Sequence, residues 1–333
     1  VSIPVTISYT RDHSIEEVLR VTAAAYEAAL QVGSYFGRSH YMTWHSTASI
    51  GSVASAVTYS LLAEGPDPGI VAAAITHALN YMGGLWKVND ASALYKPSSP
   101  AHAVLTGTLA GMITSIGRLP IPRSLEEACR SLKGECTLKE FDSYGVSLNG
   151  YKFYPSCRHS HTIVEAAERL ASEIDPSRIN KIEARVFKEA IVVAGKKYPK
   201  TLPEARFSIP YLIVTTLVYG ELNFDTLGRG LSNPLVMKLM DLVKLKEDPE
   251  YTSLYPEKQP AHLTIHQDNG TIEAYVEYPR GDPRRGVNLR DIISKAHQLS
   301  HESRDNRIKK LADTLKMASH KESFSLLLDA IAR

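Results

Sequence analysis

The chain has 333 residues, 44% of them hydrophobic, and its 38 basic side chains nearly cancel the 36 acidic ones. A single core stops growing near ~250 to 300 residues, so a folded protein of this length is expected to divide into two domains. With a net charge of +2 there is no net field to gather nucleic acid or an anionic membrane surface, so polyanion binding is not the default expectation.

In chain order, the first strong element is SIEEVLRVTAAAYEAAL (Ser14 to Leu30). Its apolar residues fall at helical spacing, and Ser14 with Glu17 three residues later forms a capping-box pattern. Two more helices are predicted over Thr47 to Leu62 and Pro68 to Tyr81, joined by the turn EGPDPG, and another over Ala101 to Ile116, ended by Gly117 and LPIP. Ser46 or Thr47 is the predicted N-cap of the second.

Beyond Gly145 the pattern changes. INKIEARVFKEAIVV (Ile179 to Val193) alternates apolar and polar residues with β-branched enrichment and reads as one half-buried strand. Two helices, EARFSIPYLIVTTLVYG and NPLVMKLMDLVKL, precede two strands, HLTIHQ and IEAYVEYP, joined by the hairpin signal Asp268 to Gly270. After Pro283 come the helical stretches LRDIISKAHQL, IKKLADTLKMA and FSLLLDAIA, whose apolar faces require a partner surface. The expected organisation is a helical domain from residues 1–148, an α+β domain from 149–286, and C-terminal helices from 287–333 that return to the helical domain.

The apolar runs Trp44 to Ala63 and Ile70 to Trp86 are interrupted by Ser, Thr, His, Asn and paired Gly. They read as buried helices rather than membrane spans, which need about 20 predominantly apolar residues. Cys129, Cys136 and Cys157 form an odd, sparse set without a CxxC pair, which argues against a disulfide framework and against thiolate zinc. A reducing, cytoplasmic setting is expected, and no secretory signal opens the chain. With Val1 rather than Met at the start, residues upstream are an expectation.

Polar residues gather in WHST (Trp44 to Thr47), LYKPSSPAH (Leu94 to His102), GYKFYPSCRHSH (Gly150 to His161) and GKKYPK (Gly195 to Lys200). His45 at a helix start is open to two readings, a hydrogen-bonded packing or capping histidine and a group that moves protons near neutrality. Lys96 and Lys152 lie near prolines and helix starts, where free N–H groups and an ammonium together suit a carboxylate or phosphate; solvated loop lysines are the alternative. Arg158 and His159 fit the same anion-contacting role. His159 and His161 form HxH, but HTIVEAAERLASEID is helical. Residues two apart on a helix do not face each other, and no Asp or Cys stands at a supporting spacing, so a metal site is not expected. The chain contains no GxxxxGK[ST], no GxGxxG after a strand and no GxSxG.

The order HSTASIGSVASA, then Lys96-Pro97, then KFYPSCRHSHTIVEA, then EARFSIPY, then YPRGDPRR (Tyr278 to Arg285) resembles the MmgE/PrpD family over essentially the whole chain. That family includes 2-methylcitrate dehydratase, cis-aconitate decarboxylase and an iminodisuccinate epimerase. The resemblance implies a large helical domain with a smaller α+β lid, a homodimer, and a site in the cleft between domains that uses neither cofactor nor metal. It implies that Lys96, Lys152 and Arg158, with His159 beside them, hold a di- or tricarboxylate. His45 becomes the general base or acid, and Tyr198 a proton donor to a leaving hydroxyl.

Three departures stand out. Ser46 occupies a position that is usually proline, and Ser99 one that is often histidine, with His102 three residues further on. The family's helical segment ahead of SIPVTISYTRDHSIEEVL, which ends in an Asp- and His-bearing motif, does not precede Val1. It is expected from upstream residues or from a second chain; otherwise the fold is a catalytically incomplete subunit that binds a carboxylate or a partner. The leading expectation is a dehydratase of a 2-methylcitrate-like acid. Decarboxylation of a cis-aconitate-like acid and epimerisation of an amino-dicarboxylate remain open, and a metal hydrolase using His159 and His161 is the most distant reading.

Overall fold

The computed structural model describes residues 12–85, 98–117, 125–137, 139–303, 306–319, 321–325, 327 and 329, leaving aside the side chains of 301–303. The chain forms two compact units, residues 1–148 together with 304–333, and residues 149–303.

The first unit is built from helices. Helix α1 (Ile15–Tyr41) begins at the predicted capping box: Ser14 N donates to Glu17 Oε2 at 2.8 Å and Glu17 N donates to Ser14 Oγ at 3.2 Å. It breaks at Gly37, whose φ of +69° lies in the left-handed region that favours glycine. The Glu135 carboxylate caps the resumed helix by accepting from the Arg38 and Ser39 amides at 2.8 and 3.1 Å.

Helices α2 (Ser46–Glu64), α3 (Pro68–Asn80), α4 (Ser98–Gly117) and α5 (Leu125–Ser131) follow. The small residues of α2 and α4 have a steric purpose. A Cβ at Gly107 would run into the Ser52 carbonyl, and one at Gly51 would come 2.9 Å from Ala103 Cβ. The α2 and α4 backbones therefore pack against each other at close range, and α2 also packs on α1 and α3.

The cysteine expectation is corrected here: Cys129 and Cys136 form a disulfide, with Cα atoms 5.9 Å apart, while Cys157 takes no part in a disulfide and is buried in the second unit. Their spacing carries no motif. The bend that brings them together runs through Lys133 and Cys136, both at positive φ.

The second unit holds a four-stranded sheet. Its elements are α6 (His161–Leu170), β1 (Ile179–Val186), α7 (Lys188–Ala194), α8 (Leu202–Ala205), α9 (Ile209–Tyr219), α10 (Phe224–Arg229), α11 (Pro234–Met240), β2 (Val243–Glu247), α12 (Pro249–Leu254), β3 (Ala261–Gln267), β4 (Gly270–Val276) and α13 (Leu289–Ser303). The strand order is β2-β1-β3-β4; β1 pairs parallel with β2 and antiparallel with β3, and β3 and β4 form the predicted hairpin. Ile182 lies opposite Val243 on one side and Ile265 on the other, so the buried rows align across the sheet. Helix α6 packs on β3 and β4, and α9, buried from Ile209 to Leu217, packs on α6.

Two sequence expectations fail in this unit. The strand predicted to reach Val193 ends at Val186. The next residues form α7, which buries Ala190 and Ala194 at helical spacing and leaves Val192 exposed. The helix predicted through NPLVMKLMDLVKL stops at Met240, and Val243–Glu247 instead adds a parallel strand to β1.

Helix α14 (Asn306–Met317) belongs to the first unit. There the chain near its end pairs with the start of α1: Ile15 N donates to Glu322 O and Phe324 N to His13 O, both at 2.9 Å. Helix α13, expected to return with it, belongs to the second unit instead, where Lys295 reaches Phe153 and the Lys152 carbonyl. Among the described residues, no helix is long and apolar enough to cross a membrane.

Candidate functional site

His45 is the N-cap of α2 rather than its neighbours Ser46 or Thr47, with extended φ and ψ of −74° and 108°. Its backbone N–H donates to Gly84 O at 2.6 Å, and its carbonyl accepts from Ala48 N at 2.9 Å and Ser49 N at 3.1 Å. Trp44 and Leu85 form a bridge beside it. The Gly83-Gly84 step is obligatory: Gly84 has φ +88°, and a Cβ there would meet Ala48, while a Cβ on Gly83 would come 2.6 Å from the His102 ring. His102 and His45 thus flank the same glycine pair. Ser99 is buried on the same helix as His102. Lys96 lies outside the described residues.

Behind His45 stands His40, which is 2% exposed. Its Nδ1 lies 3.2 Å from Leu132 O and its Nε2 2.9 Å from Ser49 Oγ. A carbonyl only accepts, so Nδ1 carries the proton and Nε2 accepts from the serine hydroxyl. Burial holds the His40 pKa below its ordinary value despite the Leu132 hydrogen bond, which keeps the ring neutral. Its ring stacks on Trp44 with centroids 6.2 Å apart, so the residue just before His45 is fixed by packing.

The second unit supplies the cations. The stretch from Gly150 to Phe153 is held by the YPRGDPRR segment: Tyr151 N donates to Gly281 O at 2.8 Å, and the Arg280 guanidinium stands 4.4 Å from the Phe153 ring centroid. Gly281 has φ +86°, and a side chain there would meet Tyr151 O and the Phe153 ring. Lys152, exposed, donates from Nζ to Ser156 O at 3.4 Å.

Arg158 opens the 3-10 turn that runs into α6. It pairs with Asp282 at 3.2 Å, and Asp282 also receives Arg284 Nη1 at 3.4 Å. Burial lowers the Arg158 pKa and Asp282 partly restores it. Glu165 on α6 anchors the other end of the motif. Burial alone would raise its carboxyl, but Arg285, Arg169 and the Arg280 amide together hold it below the usual carboxylate range.

His159 and His161 do not converge. His159 packs edge-on to Phe187 and Tyr255, with centroids 5.5 and 5.7 Å away, and its Nε2 lies 3.4 Å from the Tyr255 hydroxyl. His161 is fully buried against Tyr154. Among the described residues, no three His, Cys, Asp or Glu side chains group to hold a metal ion.

Tyr198 has φ +56°, is about half exposed, and donates its hydroxyl to Asp241, which raises the phenol pKa. Its loop is tied to α9 through Ser208 Oγ, which donates to Lys196 O at 2.6 Å. The structure therefore brings Lys152 and Arg158 into one neighbourhood of the second unit and gives His159 and Tyr198 different partners.

The comparisons with known proteins also divide the chain in two, though the second match runs on through α14 of the first unit. Residues 5–130 match the MmgE/PrpD N-terminal domain, and residues 154–317 match the MmgE/PrpD C-terminal domain. The chain belongs to the MmgE/PrpD family. A search of curated proteins returns no match. Within this MmgE/PrpD chain, the N-terminal domain match holds His45 and Lys96, and the C-terminal one holds Arg158, His159 and Tyr198, with Lys152 two residues ahead of it. The family is of the dehydratase type.

Sequence reasoning named the cations at positions 152 and 158 but missed Lys295, whose ammonium donates to the Lys152 carbonyl oxygen. It also missed Asp282 and Glu165 as the carboxylates that organise the arginines. The YPRGDPRR segment was a signal for Asp282; Lys295 sits in an ordinary amphipathic helix and carries none.

Proposed function

We propose that the protein is a cofactor-independent hydro-lyase that dehydrates a hydroxy-tricarboxylate of the 2-methylcitrate kind. Membership of a dehydratase-type family supports the reaction class. The observation that carries the substrate class is the cationic neighbourhood of Lys152 and Arg158, in which Asp282, shared with Arg284, is the carboxylate that pairs with Arg158.

In this reading Lys96, Lys152 and Arg158 hold the substrate carboxylates, with His159 beside them. His45 takes the proton from the carbon next to a carboxylate. The cations that hold the carboxylates stabilise the negative charge that builds there as the proton leaves. The carbon–oxygen bond then breaks, Tyr198 gives its proton to the departing hydroxyl, and water and an alkene result. In this reading the active form is a homodimer.

The test is incubation of the native assembly with 2-methylcitrate and citrate, following the ultraviolet absorbance of the conjugated alkene. Turnover that falls by about 10²-fold or more in His45→Asn supports the proposal. Carbon dioxide release from cis-aconitate, or racemisation of an amino-dicarboxylate, without dehydration would replace it with the corresponding family reaction. Carboxylate binding without any turnover would make this chain a catalytically incomplete subunit. A native mass twice the intact mass of the denatured chain would support the homodimer.

A further inference from the structure

The second unit contains more positive charge around residue 152 than its own carboxylates balance. Lys295, on α13, directs its ammonium to the Lys152 carbonyl oxygen, and the same Nζ lies 5.7 Å from the Phe153 ring centroid. Neither Lys152 nor Lys295 forms an ion pair among the described residues. Arg158 shares Asp282 with Arg284, and its Nη1 is buried with no hydrogen-bond acceptor among the described residues. A buried guanidinium N–H without an acceptor is rare in folded proteins, because it forfeits a charge-assisted hydrogen bond.

We propose that Lys152, Arg158 and Lys295 form a single anion site within the second unit that takes a substrate carboxylate, with Lys295 setting the preference for the more highly charged acids. This rests on the carboxylate-substrate reading above. The ammonium groups at 152 and 295 sense each other: burial, and then Lys152, lower the Lys295 pKa. The electrostatic reach of all three cations extends to His161, buried beneath them. An incoming carboxylate relieves this mutual repulsion. The Phe153 ring, flanked by Lys295 and Arg280, gives the ammonium an apolar face to lie on and holds its stem in place.

The test uses propane-1,2,3-tricarboxylate, glutarate and acetate, which have no hydroxyl to lose and so report binding without chemistry. Calorimetric titration of the complete protein at fixed ionic strength would compare wild type, Lys295→Gln and Lys295→Arg. The glutamine variant is expected to weaken tricarboxylate binding about tenfold and acetate binding far less, while the arginine variant stays within about threefold of wild type. Unchanged tricarboxylate affinity in Lys295→Gln overturns the proposal, as does an equal loss for all three acids, which would make Lys295 a tether for the Lys152 backbone only.

The two readings separate cleanly. Lys295-dependent binding without turnover of any hydroxy-acid leaves this site standing and removes the dehydratase. Dehydration with unaltered kinetics in Lys295→Gln removes this site alone. No binding of any of the acids by wild type overturns both.

Discussion

His161 shows what one buried imidazole does beneath a positively charged surface. It is fully buried, and burial, then Arg158 and Lys152, push its pKa down to about 3. An unfolded histidine titrates near about 6.5, so between these values the unfolded chain binds a proton that the folded one refuses. The stabilising contribution is complete above about pH 6.5 and is lost as pH falls, about 2 kcal/mol by pH 5. His40 acts with the same sign, since its pKa is also lowered. Thermal melts taken from about pH 8 down to about pH 5 should show a falling Tm, and His161→Gln should flatten that slope. A Tm that rises on acidification would contradict the assignment of a neutral ring. At this scale, the sequence exposed His45, Lys152 and Arg158 because each sits in a short run of unusual composition. It hid Lys295, whose partner is 143 residues away and whose own neighbours are those of any surface helix.

Between elements, the packing of α2 on α4 depends on residues that lack side chains. Gly107→Val should place its branch against the Ser52 carbonyl and cost about 1–3 kcal/mol, read as a lower urea midpoint with an unchanged slope. Gly228→Ala in α10 meets nothing within 4 Å and should instead gain about 0.5–1 kcal/mol. If both changes moved stability the same way, the close-approach argument would fail.

The Cys129–Cys136 link closes a short loop beside Glu135, which caps the resumed part of α1. The unfolded, unreduced protein should therefore accept one alkyl group, at Cys157, and the reduced protein three. Reduction should cost about 2 kcal/mol. The sequence showed the helices of the first unit well because small and apolar residues repeat over many turns. It failed at β2, a short strand whose alternation is real but whose existence depends on a slot beside β1. It failed again at α7, where β-branched residues outweighed the Ala190 and Ala194 spacing.

In the whole molecule, each unit has its own buried cluster, one around Phe36, Val53 and Ala110, the other around Ile163, Ile182 and Ile213. Trp44 lies in the first unit, and the second unit, residues 149–303, contains no tryptophan. Tryptophan fluorescence should therefore follow the unfolding of the first unit, and near-ultraviolet tyrosine signals should follow both units. Non-coincident denaturation curves from the two probes are the expected result, and superimposable curves would mean that the units unfold as one. The helical, then α+β, then helical order was legible from the change of period along the chain. The point of return was not, because the amphipathic face of α13 shows that it needs a surface without showing which one.

The pairing of residues 13–15 with 322–324 has a consequence for biosynthesis. The first unit is interrupted in the chain by the whole of the second, so its closing residues, 304–333, leave the ribosome only after the second unit has been made. At about 5–20 residues per second, the nascent helices α1 to α4 wait on the order of ten seconds while residues 149–303 are translated. The unit begun first is thus the later of the two to be complete.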